Sequence, residues 1–281
     1  MPALVPRSGQ SWDLDRFAVR PPLEPFRAEL VELARKGDFP DAESLTKWVD
    51  EARWQHAADV MPLKFVELRP KPRRAKRLSV EVAGLYDARI TCAREVPCLK
   101  QSYHDLFNAL MFRVFPRSKR ALHARQYEAL LGWVAPSGEQ LPGRRTREQD
   151  ALTLFDEGGS VVLCRREQHD EFARGTRLPL CEPNSAATLV IFGHALFEHL
   201  SEGQLDLRST ARVFFVDELP EAGLLAHVDE LLVGLLQDRR RFHVPDADAV
   251  VLFDQDGSVS FRRFDPAVRR SRAGDGAVLA G

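Results

Sequence analysis

The sequence predicts an α+β fold, with a helical N-terminal half carrying short strands and a C-terminal half of hairpins and two helices, packed as one compact domain. Three observations lead there. Apolar residues at helical spacing, behind capping side chains, concentrate in the first half. Apolar runs flanking Asp- and Gly-containing turns recur in the second. The composition, 44% hydrophobic and 29% charged over 281 residues, is that of a globular chain long enough to bury a core. Residues 1–44 read as an N-terminal extension, 45–264 as the domain and 265–281 as a flexible tail rich in Arg, Gly and Ala.

In chain order, Leu45, Trp48, Val49 and Ala52 share a helix face behind Asp41 or Ser44 as cap. Residues 63–68 form a short strand. Residues 78–90, where Leu78, Val80 and Val82 alternate, form another with Gly84 as a bend. Residues 102–115 make a strong helix that Pro116 stops or kinks before a second helix over 118–131. A Pro- and Gly-bearing loop covers 135–143. Residues 151–155 and 160–164 read as a hairpin around Asp156-Glu157-Gly158-Gly159. A strand over 188–192 enters a short helix over 193–200. Residues 213–216 are a strand, 221–236 an amphipathic helix, and 249–254 with 258–261 a hairpin around Asp256-Gly257. The string Phe-Asp-x-x-Gly-Ser-Val occurs at Phe155 and again at Phe253. An EF-hand loop would place Leu154 or Leu252 where it needs Asp, so the recurrence reads as turn chemistry.

The 40 basic and 41 acidic side chains nearly cancel, but unevenly. Residues 1–60 carry a net −3, residues 61–147 a net +11 and residues 148–281 a net −9. The densest basic run, 69–77, holds two prolines and no aromatic residue, which suits an exposed connector or an anion contact better than a base-stacking platform.

Several function classes find no support. No apolar core follows a basic start, so no secretory leader is expected, and no apolar run reaches the roughly 20 residues of a membrane span. Four cysteines without a C-x-x-C pair argue against a disulfide framework or zinc knuckle and for thiols in a reducing cytoplasm. Phosphate-binding, dinucleotide-binding and nucleophile-elbow strings do not occur.

Candidate chemistry lies in a few polar sets. His104 and Asn108 share a helix face with Asp105 beside them, although Ser102 and Asp105 also fit a capping box. His194 and Glu198, four residues apart, can aim at one point as ligands, as a base with its orienting carboxylate, or as a surface pair. Asp156 and Glu157, with His194, are candidate ligands of a divalent metal, or turn residues. Asp87 and Arg89 can pair with each other or face a cleft. Arg89, Arg117 and Lys119 are candidate contacts for an anionic group such as phosphate.

The strings at 86–90 (Tyr-Asp-Ala-Arg-Ile), 104–110 (His-Asp-Leu-Phe-Asn-Ala-Leu), 115–119 (Phe-Pro-Arg-Ser-Lys), 150–157 and 193–198 (Gly-His-Ala-Leu-Phe-Glu) together resemble a bacterial family catalogued as a domain of unknown function. The resemblance spans roughly 45–260 and implies no activity or cofactor. Its signature strings coincide with the polar sets above. Three readings follow. One is a metal-assisted hydrolase acting on an anionic substrate, with His104, Asp105, Asn108, His194 and Glu198 as its catalytic groups. The others are a nucleic-acid or polyanion-binding module and a protein-interaction or homo-oligomeric module in which basic middle meets acidic half. If the two halves fold against each other, the site belongs at their seam.

Overall fold

The computed structural model describes residues 8–68, 82–132, 145–238 and 248–264. The basic run at 69–77, the loop at 135–143 and the tail at 265–281 lie outside the described residues, as do Leu78 and Val80. Helix α1 (Arg27–Lys36) ends at Gly37, whose φ of 71° is the left-handed conformation a helix terminus needs. Helix α2 (Ala42–His56) starts where Asp41 accepts from the Ser44 amide at 2.8 Å, and it buries Leu45, Trp48, Val49 and Ala52 as their spacing requires. Strand β1 (Lys64–Glu67) pairs in parallel with β2 (Glu95–Cys98), Lys64 opposite Glu95.

From Val82 to β2 the chain is wound rather than extended. Val82–Gly84 forms a 3₁₀ turn, α3 (Tyr86–Ala88) follows, and Arg89–Ala93 continues as a π-turn. The expected strand over 78–90 is therefore corrected where the chain is described. Three alternating apolar residues are too few to fix a period. In the wound form Ala88 and Ile90 reach the core while Asp87 bonds His123.

Helix α4 (Tyr103–Val114) is the central element. Ser102 Oγ accepts from the Asp105 amide, and Leu106, Phe107, Leu110, Met111 and Phe112 are all buried. Phe115 and Pro116 break the run before α5 (Ser118–Leu131), whose first amides are capped from far away. The Asp229 carboxylate accepts from the Arg117 amide at 3.1 Å and the Ser118 amide at 2.8 Å.

The hairpin expected around Asp156 is also corrected. Residues Arg147–Gly158 form helix α6, opened by a reciprocal capping box between Thr146 and Gln149. Leu152 and Phe155, three apart, pack its face inward. Only the second copy of the recurring string, at Phe253, forms a hairpin; the first ends a helix and enters β3 (Gly159–Arg165). Then come α7 (His169–Ala173), β4 (Leu178–Leu180), β5 (Ala187–Ile191), α8 (His194–Ser201), β6 (Leu207–Val216), α9 (Leu224–Gln237), β7 (Ala249–Phe253) and β8 (Val259–Arg263).

The larger sheet has the order β4-β8-β7-β6-β3-β5, antiparallel except for the β3–β6 pair. Strand β3 lies between β5 and β6, and Val161, Val162, Leu163 and Cys164 on it are all buried, as a strand covered on both faces requires. The architecture is α+β. One apolar cluster joins α4 and α8 to this sheet, and it includes Phe17, Leu23, Phe26, Leu30 and Leu33 from the segment expected as an extension. Among the described residues no helix is long and apolar enough to cross a membrane.

Candidate functional site

Helix α4 crosses α8 at its first turn, α6 lies beside α8, and α5 packs on α6. The polar residues of these four helices meet there, where the basic middle of the chain joins its acidic C-terminal half. His104 Nε2 lies 3.0 Å from His194 Nε2. His194 Nδ1 lies 2.8 Å from the Asp156 backbone carbonyl, which can only accept, so that nitrogen carries the hydrogen. In the neutral ring His194 Nε2 is then a lone pair, and His104 must donate to it from its own Nε2–H.

This order leaves His104 Nδ1 facing Glu198 Oε2 at 3.4 Å, both buried and neither with another hydrogen-bond partner. Two lone pairs at that distance repel. The contact is favourable only with one proton between them, as imidazolium against carboxylate or as imidazole against carboxylic acid. Burial holds the His194 pKa well below the ordinary 6.5; Asp156 pulls it up, and Lys119 and His104 push it further down.

Lys119 is 0% exposed and its ammonium pairs with the Asp156 carboxylate. Its Nζ also stands 5.1 Å from the Phe112 ring centroid. Burial opposes ionisation of Asp156, but the charges around it, the Lys119 ammonium foremost, outweigh it and hold the carboxyl below the usual carboxylate range. Beside this pair, Asp87 Oδ1 lies 2.9 Å from His123 Nδ1. Tyr86 accepts from Asn108 Nδ2 at 2.8 Å and meets the His123 ring edge-on. Burial, then Asp156 and Asp105, raise the Tyr86 hydroxyl well above its ordinary pKa.

Of the residues singled out from sequence, His104, Asn108, Lys119, Asp156, His194 and Glu198 are therefore brought together. Asp105 stands next to them but has structural work, accepting from the Leu99 amide at 3.0 Å while its own amide donates to Ser102. Glu157 is partly buried, and its pKa is raised by burial and by Asp156. Of the residues expected as a metal set, Asp156, Glu157 and His194, the first and last have other engagements. Asp156 is committed to an ammonium, and both ring nitrogens of His194 are engaged. Among the described residues no group of three His, Cys, Asp or Glu side chains stands where it could hold one ion.

The cations expected to meet an anion are also engaged elsewhere. Arg89 pairs with Glu95 at 2.7 Å; Arg117 pairs with Asp59 and donates to the His56 carbonyl. Tyr86, Asp87 and His123 are the members of the cluster that sequence reading did not assemble. The available signal was α5 itself, whose buried side carries Lys119 and His123 four residues apart, with Ser118, Arg125 and Gln126 also buried.

The family model described as protein of unknown function (DUF3025) matches residues 75–247, a stretch that contains every residue of the cluster. No curated protein and no solved structure matches the chain.

Proposed function

The chain belongs to the DUF3025 family, and from the geometry of its polar cluster we propose that it is a hydrolase whose acid–base pair is His104 and His194. The observation that supports this reading is the 3.0 Å contact between their Nε2 atoms, in surroundings that differ for the two rings. His194 is buried beside Lys119, whereas His104 is backed by Glu198. These unlike surroundings divide the roles of acid and base between the two rings.

In the proposed cycle, substrate and water enter at the partly exposed His104 and the two Nε2 atoms turn toward them. His194 Nε2 takes a proton from the water, whose oxygen attacks the scissile centre. His104, charged against Glu198, gives its Nε2 proton to the leaving group. The imidazolium left on His194, disfavoured by burial, then returns its proton to His104 across the Nε2–Nε2 contact. One water is consumed, and the pair ends with the protons it began with. Asp156 holds the base in one tautomer through its carbonyl, and Lys119 fixes Asp156.

Assay of the purified protein on chromogenic esters, phosphates and anilides tests the reading. Turnover is expected, falling roughly 10²- to 10⁴-fold in His104→Gln and in His194→Gln, with the fold of each variant checked by circular dichroism. Absence of turnover across the panel, or well-folded variants as active as the parent, would contradict it.

A further inference from the structure

One corner of the cluster takes no part in that cycle. His123 is 1% exposed, yet its Nε2 has no hydrogen-bond partner. Asp87 engages the opposite nitrogen, Nδ1, so in the neutral ring Nε2 is a bare lone pair. Asn108 is 4% exposed, and with its Nδ2 given to Tyr86 its Oδ1 is likewise unpartnered. A buried polar atom left unsatisfied keeps its full desolvation penalty. Two such acceptors flank the same tyrosine, which is 37% exposed as a residue while its hydroxyl is buried.

Carboxylates stand near the corner. Asp156, Asp105 and Asp87 each strengthen the hold of Tyr86 on its proton. Unfilled acceptors beside carboxylates do not suit the phosphate-like ligand expected from the basic middle of the sequence. They suit a small cation that brings its own hydrogens.

We propose that Tyr86, Asn108 and His123 form a subsite for an alkylammonium group, so that the substrate is an amine. The ammonium donates to His123 Nε2 and Asn108 Oδ1, while Asp87 keeps the His123 lone pair turned toward it. This rests on the hydrolase reading only for the word substrate; the subsite itself is built from groups outside the acid–base pair.

The test is titration of ¹⁵N-histidine-labelled protein with n-butylammonium chloride, and in parallel with sodium butyrate and n-butanol. Saturable movement of the His123 side-chain resonances with butylammonium alone is expected. Asp87→Asn should weaken the response about tenfold or more by releasing the His123 tautomer, and His123→Phe should abolish it. Response to butyrate instead, equal response to butanol, or none to any probe would overturn the proposal, the last leaving the corner to water. Because the parent chain is titrated directly, the outcome does not depend on a variant folding. His194→Gln separates the two readings, since it should lose turnover while keeping the butylammonium response.

Discussion

Replacing Asp156 with alanine is expected to destabilise the protein by about 3–5 kcal/mol, the range for removing one partner of a buried ion pair. The reason is Lys119. Its ammonium is wholly buried among Phe112 and Phe192 and its counter-charge is Asp156. Without the carboxylate, a bare cation remains in an apolar setting, or the lysine must give up its proton. Urea unfolding at neutral pH measures the loss, and adding Lys119→Met to Asp156→Ala should recover most of it, because an apolar chain tolerates the same site. A loss below about 1 kcal/mol, the scale of a surface pair, would mean that the ammonium is solvated.

The acid dependence has a definite sign. The folded pKa of Asp156 lies below its ordinary 3.8, so its stabilising contribution is complete above that value and is lost as pH falls below it. The parent and Asp156→Ala should therefore converge in stability only under strongly acid conditions.

Gly193→Ala is expected to be nearly as damaging, at about 3 kcal/mol, the upper part of the usual range for overpacking. Gly193 has an ordinary φ of −75°, so conformation is not the reason for glycine there. A Cβ at this position would lie 2.5 Å from the Glu157 carbonyl oxygen and 2.6 Å from the Gly158 nitrogen. Both contacts are backbone, at the end of α6, and cannot swing aside. Relief requires α8 to move off α6, which carries His194 away from the Asp156 carbonyl and from His104. The variant should thus lose stability and turnover together. Gly223→Ala is the natural control, since Gly223 opens α9 with a φ of 68° but has open space where its Cβ would stand. That change should cost only the left-handed conformation, about 1–2 kcal/mol, and leave the site intact. Equal effects of the two substitutions would show that packing at Gly193 is not what positions His194.

The parts of this molecule that are legible in sequence are those whose cause is local. Asp41 and Ser102 cap helices whose apolar faces follow within one turn, and Asp256-Gly257 closes a hairpin between adjacent strands. Helix α6 is easily mistaken for a hairpin because Asp-Glu-Gly-Gly is turn chemistry, whereas Gly159 serves close packing here, since a Cβ on it would lie 2.5 Å from the Phe155 carbonyl oxygen. The capping box at Thr146 and Gln149 is the deciding signal, and it lies a dozen residues before the glycines. Within the site, His194 and Glu198 are recognisable because four-residue spacing places them on one face. The meeting of His104 with His194 across 90 positions, and of Asp87 with His123 across 36, depends on helix crossings that no local spacing encodes. The ion pairs of Arg89 with Glu95 and of Arg117 with Asp59 likewise form only in the folded chain.

The proposed chemistry turns on one arrangement of protons: His194 neutral with hydrogen on Nδ1, and His104 donating to it from Nε2. Side-chain ¹⁵N spectroscopy of histidine-labelled protein, followed from about pH 8 to about pH 5 across the range where an ordinary histidine titrates, reads that arrangement directly. His194 is expected to keep the Nδ1–H signature of a neutral ring throughout, because burial holds its pKa well below 6.5. The same linkage makes the folded state lose stability as pH falls below 6.5, where the unfolded chain takes up the proton that folded His194 refuses. A His194 that titrates with a midpoint near 6.5, or that shows its hydrogen on Nε2, would contradict this arrangement and the acid–base roles built on it.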